Sequence, residues 1–196
     1  MELYSKILAG MATATIFLVY LFYFLQVRKG TSKPNPATWL IWLMVMVINA
    51  FTYTFIVGDL YKALIAITAS IMIGFTMVYA LLNGRFGKLG QMEQITLIAC
   101  IIIGVFWRLG GDTSVAHLLL QVILLVSFIP TLVGLLKKTL TERPLPWLLA
   151  VMAYVFQMSA LIIVWDGNWI SLVYPFVNGI LGNGSVALLA IKLNKS

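Results

Sequence analysis

Three amide side chains lie in the middle of long apolar runs, where few other groups could bind a polar molecule. Asn178, Asn49 and Gln157 each stand near the centre of such a run. A buried amide without a hydrogen-bond partner costs several kcal/mol, so each must face protein, water or a ligand. Because an amide both donates and accepts hydrogen bonds, these positions predict a site for a polar ligand.

Small and partly polar residues share one helical face with Asn178. Pro175, Asn178, Gly182 and Ser185 follow one another at spacings of three or four residues, which places them on the same side of an α-helix. Such a face is suited to line a cavity. The alternative is a stripe of small residues at which two membrane helices pack closely, although packing alone would not require the asparagine.

His117 and Gln121 lie one helical turn apart and form a second candidate site. A histidine titrates near neutral pH and can couple a process to protons. Proton relays in membranes are chains of ionisable groups, and the carboxylates Asp59, Asp112 and Asp166 stand at the ends of apolar runs. The sequence therefore favours a structural or gating role for His117 over a proton relay.

The chain lacks the residue sets that enzymes use. It contains no paired carboxylates, no HExxH motif and no second histidine for a metal site or a catalytic triad. Cys100 is the single cysteine, which excludes an internal disulfide and a cysteine-based metal cluster. Lys192 stands at the end of the last apolar run, so a retinal Schiff base is also excluded. We expect neither an enzyme nor a cofactor.

The composition identifies lipid as the main solvent of the chain. Apolar residues make up 62% and charged residues 10% of the sequence, whereas soluble domains hold roughly 45–50% and about 25%. The mean hydropathy is +1.02. The net charge of +7 would suit nucleic acid, but the apolar segments leave no basic stripe for a duplex. The expected partners are the bilayer and a small polar molecule, and a homo-oligomer is left open.

Seven apolar runs are long enough to cross a membrane, for which about 20 residues are needed. Their short connections leave no room for a soluble domain. The sequence therefore predicts an all-α membrane protein with seven transmembrane helices, at 7–27, 37–57, 60–82, 91–108, 113–136, 147–165 and 168–191.

Basic residues concentrate on one side of this predicted topology. The other side holds Lys6, Lys62 and Arg108. By the positive-inside rule, the N-terminus is outside, the C-terminus is cytoplasmic, and the expected location is the plasma (inner) membrane. The connections after the first, third and fifth helices and the C-terminal tail hold ten basic residues: Arg28, Lys29, Lys33, Arg85, Lys88, Lys137, Lys138, Arg143, Lys192 and Lys195.

A shift of 110 residues overlays the two halves of the chain. It places "TSKPNP" on "TERPLP", and it also places Gly74 on Gly184. One constant offset over this length predicts two parallel three-helix bundles, at 1–90 and 112–196, joined by a linker helix within 91–111. Chance recurrence of proline and basic residues at membrane interfaces is the alternative.

The repeat extends the predicted site and supplies hinges. Thr68 occupies the position equivalent to Asn178, and the two are expected to face each other across the axis that relates the halves. A threonine hydroxyl can equally bond its own backbone. Proline interrupts helices, so bending is expected at Pro36, Pro130, Pro144 and Pro146.

These features resemble the SWEET sugar transporters and the PQ-loop proteins. The resemblance rests on the 3+1+3 arrangement, on the basic residue and proline after the first helix of each half, and on "YPFVNGILGNGSVALLAIK", which is similar to the seventh SWEET helix. It implies a uniporter that moves a small polar solute by alternating access, with a sugar as the first candidate. Phe51 takes about the place of a family tryptophan, counted from Pro36, and would form an apolar wall. The implied substrate-binding residues are Asn178, Thr68, Asn49, Gln157 and Phe51.

Two other functions stay open. Relatives of the same architecture move other solutes, such as amino acids or nicotinamide riboside. The KDEL receptors share the fold and bind a peptide instead, and a receptor for acidic peptides needs basic residues inside its bundle. Lys and Arg stand at the helix ends here, so a transporter is favoured. We expect the solute's own gradient to drive transport, because the sequence shows no buried acidic residue to carry a coupling proton.

Overall fold

The computed structural model describes residues 1–32, 36–83 and 91–194, and these residues are helical almost throughout. The basic residues Lys33, Arg85, Lys88 and Lys195 lie outside the described residues. The elements are α1 (Glu2–Lys29), α2 (Pro36–Val57), α3 (Leu60–Leu82), α4 (Gln91–Arg108), α5 (Thr113–Ser127), α6 (Ile129–Leu136), α7 (Pro144–Ile163), α8 (Ile170–Tyr174), a π-helix (Pro175–Asn183) and α9 (Gly184–Asn194).

Local capping sets several of the helix boundaries. The carboxylate of Asp112 accepts a hydrogen bond from the backbone N–H of Val115 at 2.9 Å and so begins α5, as N-cap aspartates do. Gly30 ends α1 in the left-handed conformation, with φ 73°, which glycine adopts without strain. The apolar runs therefore end at residues that satisfy the free backbone groups of each helix.

Six helices are long and apolar enough to cross a membrane: Glu2–Lys29, Trp39–Val57, Leu60–Tyr79, Thr113–Leu136, Pro144–Ile163 and Ile170–Asn194. Large apolar side chains such as Phe55, Ile71 and Leu188 are exposed on their outer faces, as a surface in contact with lipid requires. Within the described residues the all-α prediction is confirmed, and these six helices support the prediction of a membrane-embedded protein. The apolar part of α4, Gln94–Arg108, is shorter, so the seventh span stays a prediction.

Each of the long helices packs against two or more others. Helix α3 packs against both α1 and α2, while the π-helix and α9 pack against α7 and also contact α5 and α6. Helix α1 runs along α7, α2 packs against α5, and α4 lies against α2 and α5. The core between them is fully buried and rich in tyrosine, with Tyr53, Tyr154 and Tyr174 at its centre.

Polar contacts mark the two ends of the bundle. At one end the backbone N–H of Arg143 donates to Ser32 Oγ at 3.4 Å, and its guanidinium donates to Asn194 at 3.5 Å. At the other end the hydroxyl of Ser5 donates to the carbonyl of Ala160 at 2.7 Å. Helices α1 and α7 are therefore antiparallel neighbours from end to end. We call the first the basic end and the second, which carries Asp59, Asp112 and Asp166, the acidic end.

The π-helix changes which residues of the last segment face inward. A π-helix hydrogen-bonds at i→i+5 rather than i→i+4, and the backbone N–H of Gly184 donates to the carbonyl of Gly179, five residues earlier. Asn178 and Asn183 are both buried, whereas Ser185 is exposed. The prediction that Ser185 shares the inner face is therefore wrong, because it assumed the α-helical period throughout.

The prolines predicted as hinges stand at helix starts. Pro36 and Pro144 begin α2 and α7, and Pro130 lies in the first turn of α6, just after the break that separates it from α5. The first backbone N–H groups of a helix have no partner within the helix, so proline, which lacks an N–H, is accommodated there without loss of a hydrogen bond. Pro146 is buried near the start of α7. A bending motion at these positions stays a prediction.

Gly179 allows the π-helix to approach α7 closely, and its replacement by alanine is expected to destabilise the protein. A Cβ at this position would overlap Cβ of Tyr154, which belongs to the rigid base of that side chain. Overpacking of this kind costs about 1–3 kcal/mol, so the thermal unfolding midpoint of the purified protein should fall. Gly184→Ala is the matched control, since its nearest contacts are at 3.9 Å. Equal midpoints for the two variants would contradict this packing.

Candidate functional site

A narrow cavity lies between α1, α2, α7 and the π-helix. Its volume is about 40 Å³, far below the ~150 Å³ of an engineered protein cavity that binds benzene. A solute as large as a sugar therefore fits only after the walls separate. The lining residues are Ile16, Val19, Tyr20, Tyr23, Trp39, Trp42, Met46, Ile73, Leu124, Phe128, Pro146, Trp147, Ala150, Tyr154, Asn178 and Asn183.

Four aromatic rings form a closed circuit on the side of the cavity nearer the basic end. Ring centroids are 4.9 Å apart for Tyr23 and Trp39, and 5.6 Å apart for Trp39 and Trp42. Trp147 completes the circuit at 6.0 Å from both Trp42 and Tyr23. Pairs of this kind each contribute about 0.5–1.5 kcal/mol. We call these four residues the aromatic seal.

Asn178 and Tyr154 supply polar groups to the cavity wall, and Tyr174 lies behind them. The Asn178 amide donates to the hydroxyl of Tyr154, and the hydroxyls of Tyr154 and Tyr174 share a hydrogen bond of 2.8 Å. Asn178 Oδ1 has a longer contact, 3.4 Å, with Asn183 Nδ2. This oxygen therefore retains capacity to accept a hydrogen bond from a ligand.

Gln157 lies nearer the acidic end and is not part of the cavity lining. Its Nε2 donates to the Tyr53 hydroxyl at 3.1 Å and to the Lys62 carbonyl at 2.8 Å, which ties α7 to α2 and to the start of α3. Tyr53 in turn packs on Tyr174 and stacks on His117, with centroids 4.9 and 5.7 Å apart. We call Gln157, Tyr53, Tyr174 and His117 the polar seal.

Asn49, Gln121 and His117 form one buried cluster between α2 and α5. Gln121 Nε2 donates to Asn49 Oδ1 at 2.8 Å and to the His117 carbonyl at 3.1 Å. His117 Nδ1 lies 3.4 Å from Thr52 Oγ1. None of these side chains belongs to the cavity lining in the described part of the chain. The side chains of Asn49, Gln121 and His117 therefore connect α2 to α5.

Two further predicted site residues lie away from the cavity. Thr68 is half-buried, and α3 contributes Ile73 to the lining instead. Five residues of α-helix turn by about 140°, so Thr68 faces elsewhere and does not oppose Asn178. Phe51 is 58% exposed and packs against Trp107 on the outer surface. It is thus a lipid-facing side chain rather than a wall of the site, because α2 turns the opposite face inward.

Glu142 is a site residue that the sequence analysis missed. It precedes α7, is 2% exposed, and accepts hydrogen bonds from the Tyr23 hydroxyl at 2.9 Å and from the Trp147 indole at 3.3 Å. Burial raises the pKa of Glu142 from its ordinary 4.5 to about 7, against the lowering effect of its hydrogen bonds. The expectation that the chain holds no buried acidic residue is therefore wrong.

The predicted repeat contains a signal for Glu142. With the shift of 110 residues, position 142 corresponds to position 32, and the Ser32 hydroxyl oxygen accepts a hydrogen bond from the backbone N–H of Arg143, the residue after Glu142. The two equivalent loops thus meet at the basic end. A charged residue in a loop that packs against the equivalent loop of the other predicted half is a candidate for burial.

Comparisons of the chain with protein-family models, with curated proteins and with solved structures give no match. The function is therefore inferred from the geometry of the site.

Proposed function

We propose that the chain is a membrane transporter that moves a small polar solute by alternating access. The observation that carries the proposal is a central cavity with a chemically different closure at each end, the aromatic seal toward the basic end and the polar seal toward the acidic end. A carrier opens one end at a time around a fixed site. Stacked rings and side-chain hydrogen bonds can separate for this purpose while the helices stay intact.

The packing pattern supports a 3+1+3 architecture of the SWEET type. In each proposed half the third segment packs against the first and the second. Between the halves, the contact of α1 with α7 corresponds to that of α5 with α2 when the halves are exchanged. A helix in the position of α4, beside α2 and α5, is suited to link two parallel repeats. Rocking of one half against the other would widen the cavity.

The cavity walls favour a solute that combines a flat ring face with hydroxyl groups. The rings of the aromatic seal offer faces for stacking, and Asn178 offers an amide oxygen to a hydroxyl. A sugar meets this description and is the first candidate. A nucleoside-like vitamin such as nicotinamide riboside is the second, since its base would stack on the same rings.

A receptor function has less support. Recognition of an acidic peptide requires cationic side chains at the site, and the residues that line the described cavity include no lysine or arginine.

We propose that the basic end faces the cytoplasm of a plasma (inner) membrane, because basic loops are retained on that side.

Uptake by purified protein in proteoliposomes tests the proposed function. Radiolabelled monosaccharides, nucleosides and amino acids are offered in parallel, with protein-free liposomes as the control. We expect at least one solute to enter faster than in the control and to show counterflow when the vesicles are preloaded with the same unlabelled solute. Saturable binding without uptake would favour a receptor, and uptake at the protein-free rate across the panel would count against transport of these classes.

A further inference from the structure

We propose that Glu142 is a proton-binding site and that solute movement is coupled to proton movement from the acidic end to the basic end. The inference rests on the proposed function and adds a driving force to it. It replaces the expectation that the solute moves only down its own gradient.

Glu142 stands between the central cavity and the surface of the protein. Tyr23 and Trp147, which bond its carboxylate, both line the cavity. Glu142 itself lines a second pocket of about 250 Å³ at the basic end, together with Lys138 and Asn194. A proton or solute that passes from the cavity to this pocket must therefore pass the carboxyl group and the aromatic seal beside it.

The hydrogen bonds around Glu142 fit a carboxylate better than a carboxylic acid. Oε1 accepts from the Tyr23 hydroxyl and Oε2 from the Trp147 indole. An indole N–H can only donate, and a protonated carboxyl oxygen is a weaker acceptor than a carboxylate oxygen, so a proton on Oε2 weakens the bond to Trp147. A proton on Oε1 weakens the bond from the Tyr23 hydroxyl in the same way. Either way, protonation loosens the contact between this loop and the aromatic seal.

Among the described residues, no cation forms an ion pair with the Glu142 carboxylate. The ion pair found there joins Lys62 to Asp59 at the acidic end. The guanidinium of Arg143 turns to Asn194. Burial of a carboxylate is costly, and this cost is what brings the pKa of Glu142 to about 7. The polar and charged groups that face it are Tyr23 of α1, Ser32 after α1, Trp147 of α7, Asn194 of α9, and Lys138 and Arg143 of its own segment.

A balanced cycle follows from this arrangement. While the basic end is closed, a proton and the solute enter the cavity from the acidic end. The proton binds the Glu142 carboxylate, the bonds to Tyr23 and Trp147 loosen, and the aromatic seal opens. Solute and proton leave through the basic-end pocket, and the carboxylate recovers its hydrogen bonds. One proton accompanies each solute, and no other group changes its charge.

Tryptophan fluorescence of the purified full-length protein tests the proton site without any solute. Trp147 donates to the carboxylate and Trp39 stacks on Tyr23, so a titration of Glu142 should change their emission, with a midpoint near pH 7. Glu142→Gln should abolish the transition, and Glu2→Gln, which changes an exposed carboxylate, should leave it unchanged. A wild-type protein without the transition, or a transition that survives in Glu142→Gln, would overturn the proposal.

The pH midpoint of the fluorescence transition in Tyr23→Phe is a second measurement. It would not change if Glu142 had only a structural role. This variant keeps every tryptophan and removes one donor to the carboxylate. Because the carboxylate loses stabilisation, the midpoint should move to higher pH, by about one unit for a hydrogen bond to a charged group. If Glu142→Gln does not fold, this shift decides the matter, and an unchanged midpoint would overturn the proposal.

Coupling is measured in proteoliposomes with the solute that the uptake panel identifies. An inward proton gradient of one pH unit supports up to about tenfold accumulation in a one-to-one symport. We expect such accumulation in the wild type, with acidification of a trapped pH dye, and equilibration without accumulation in Glu142→Gln. Wild-type uptake that ignores the gradient would refute coupling and leave transport standing. Because the fluorescence titration needs no solute, an empty uptake panel is a separate result.

Discussion

Replacing Asn178 by leucine is expected to reduce solute uptake by about 100-fold while the protein still folds. Leucine is close to asparagine in shape but offers no hydrogen bond, so the solute's hydroxyl would be left unpaired on binding. The loss of the amide does not orphan Tyr154, whose hydroxyl keeps its 2.8 Å bond to Tyr174. The measurement is initial uptake in proteoliposomes, together with the thermal unfolding midpoint of each preparation.

Ser185→Leu is the matched control for this substitution. It introduces the same side chain on the same segment, but at a position that is exposed on the outer surface, where the serine hydroxyl bonds its own helix. Uptake should remain at the wild-type rate, because an apolar leucine side chain is compatible with contact with lipid. Full uptake in a folded Asn178→Leu protein would remove Asn178 from the site. A loss in both variants would point to damage to the helix rather than to the cavity.

The positions of the helices could be predicted because apolar run length is read directly from the sequence. The predicted segments 60–82 and 91–108 have the bounds of α3 and α4. The segment 113–136 has the outer bounds of α5 and α6 taken together. In lipid the backbone N–H and C=O groups must form hydrogen bonds with one another. A single long apolar run meets this requirement by forming a helix. The prolines and capping residues then fix where each run stops.

The faces of the helices were less predictable, because they depend on turn geometry that composition does not reveal. Ser185 was placed inward on an α-helical period, and the π-helix moved Asn183 to that role. The offset of 110 residues carried Asn178 onto Thr68, whereas the cavity uses Ile73, the equivalent of Asn183. A repeat conserves the order of the elements more strictly than the rotation of each helix about its axis.

Burial of a charged loop residue is a tertiary property that local sequence does not reveal. Glu142 lies between the basic residues of a connection, a context typical of solvated side chains at a membrane surface. It is buried only because α1, α7 and α9 converge on its loop, through Tyr23, Trp147 and Asn194. Glu142, whose pKa burial raises to about 7, is therefore placed by contacts between distant segments.

A reversible cross-link between α1 and α7 at the acidic end is expected to abolish uptake and to release it on reduction. Ser5 and Ala160 are both fully buried, and the Ser5 hydroxyl bonds the Ala160 carbonyl at 2.7 Å. Small residues allow the two helices to approach closely here. Ser5→Cys with Ala160→Cys should therefore form a disulfide on oxidation, while the native Cys100 is buried and unpaired. Opening of the acidic end by rocking requires this crossing to separate.

The same pair distinguishes movement of the halves from movement of side chains alone. If the seals open only by rotation of tyrosine and tryptophan side chains, a bond between the α1 and α7 backbones leaves uptake intact, and alternating access by rocking is refuted. If the halves rock, uptake falls to the protein-free rate on oxidation and returns with dithiothreitol. Each single-cysteine variant should respond to neither reagent. A short bis-methanethiosulfonate replaces oxidation where the two sulfurs do not meet directly, so that a linked protein is available for the measurement in either case.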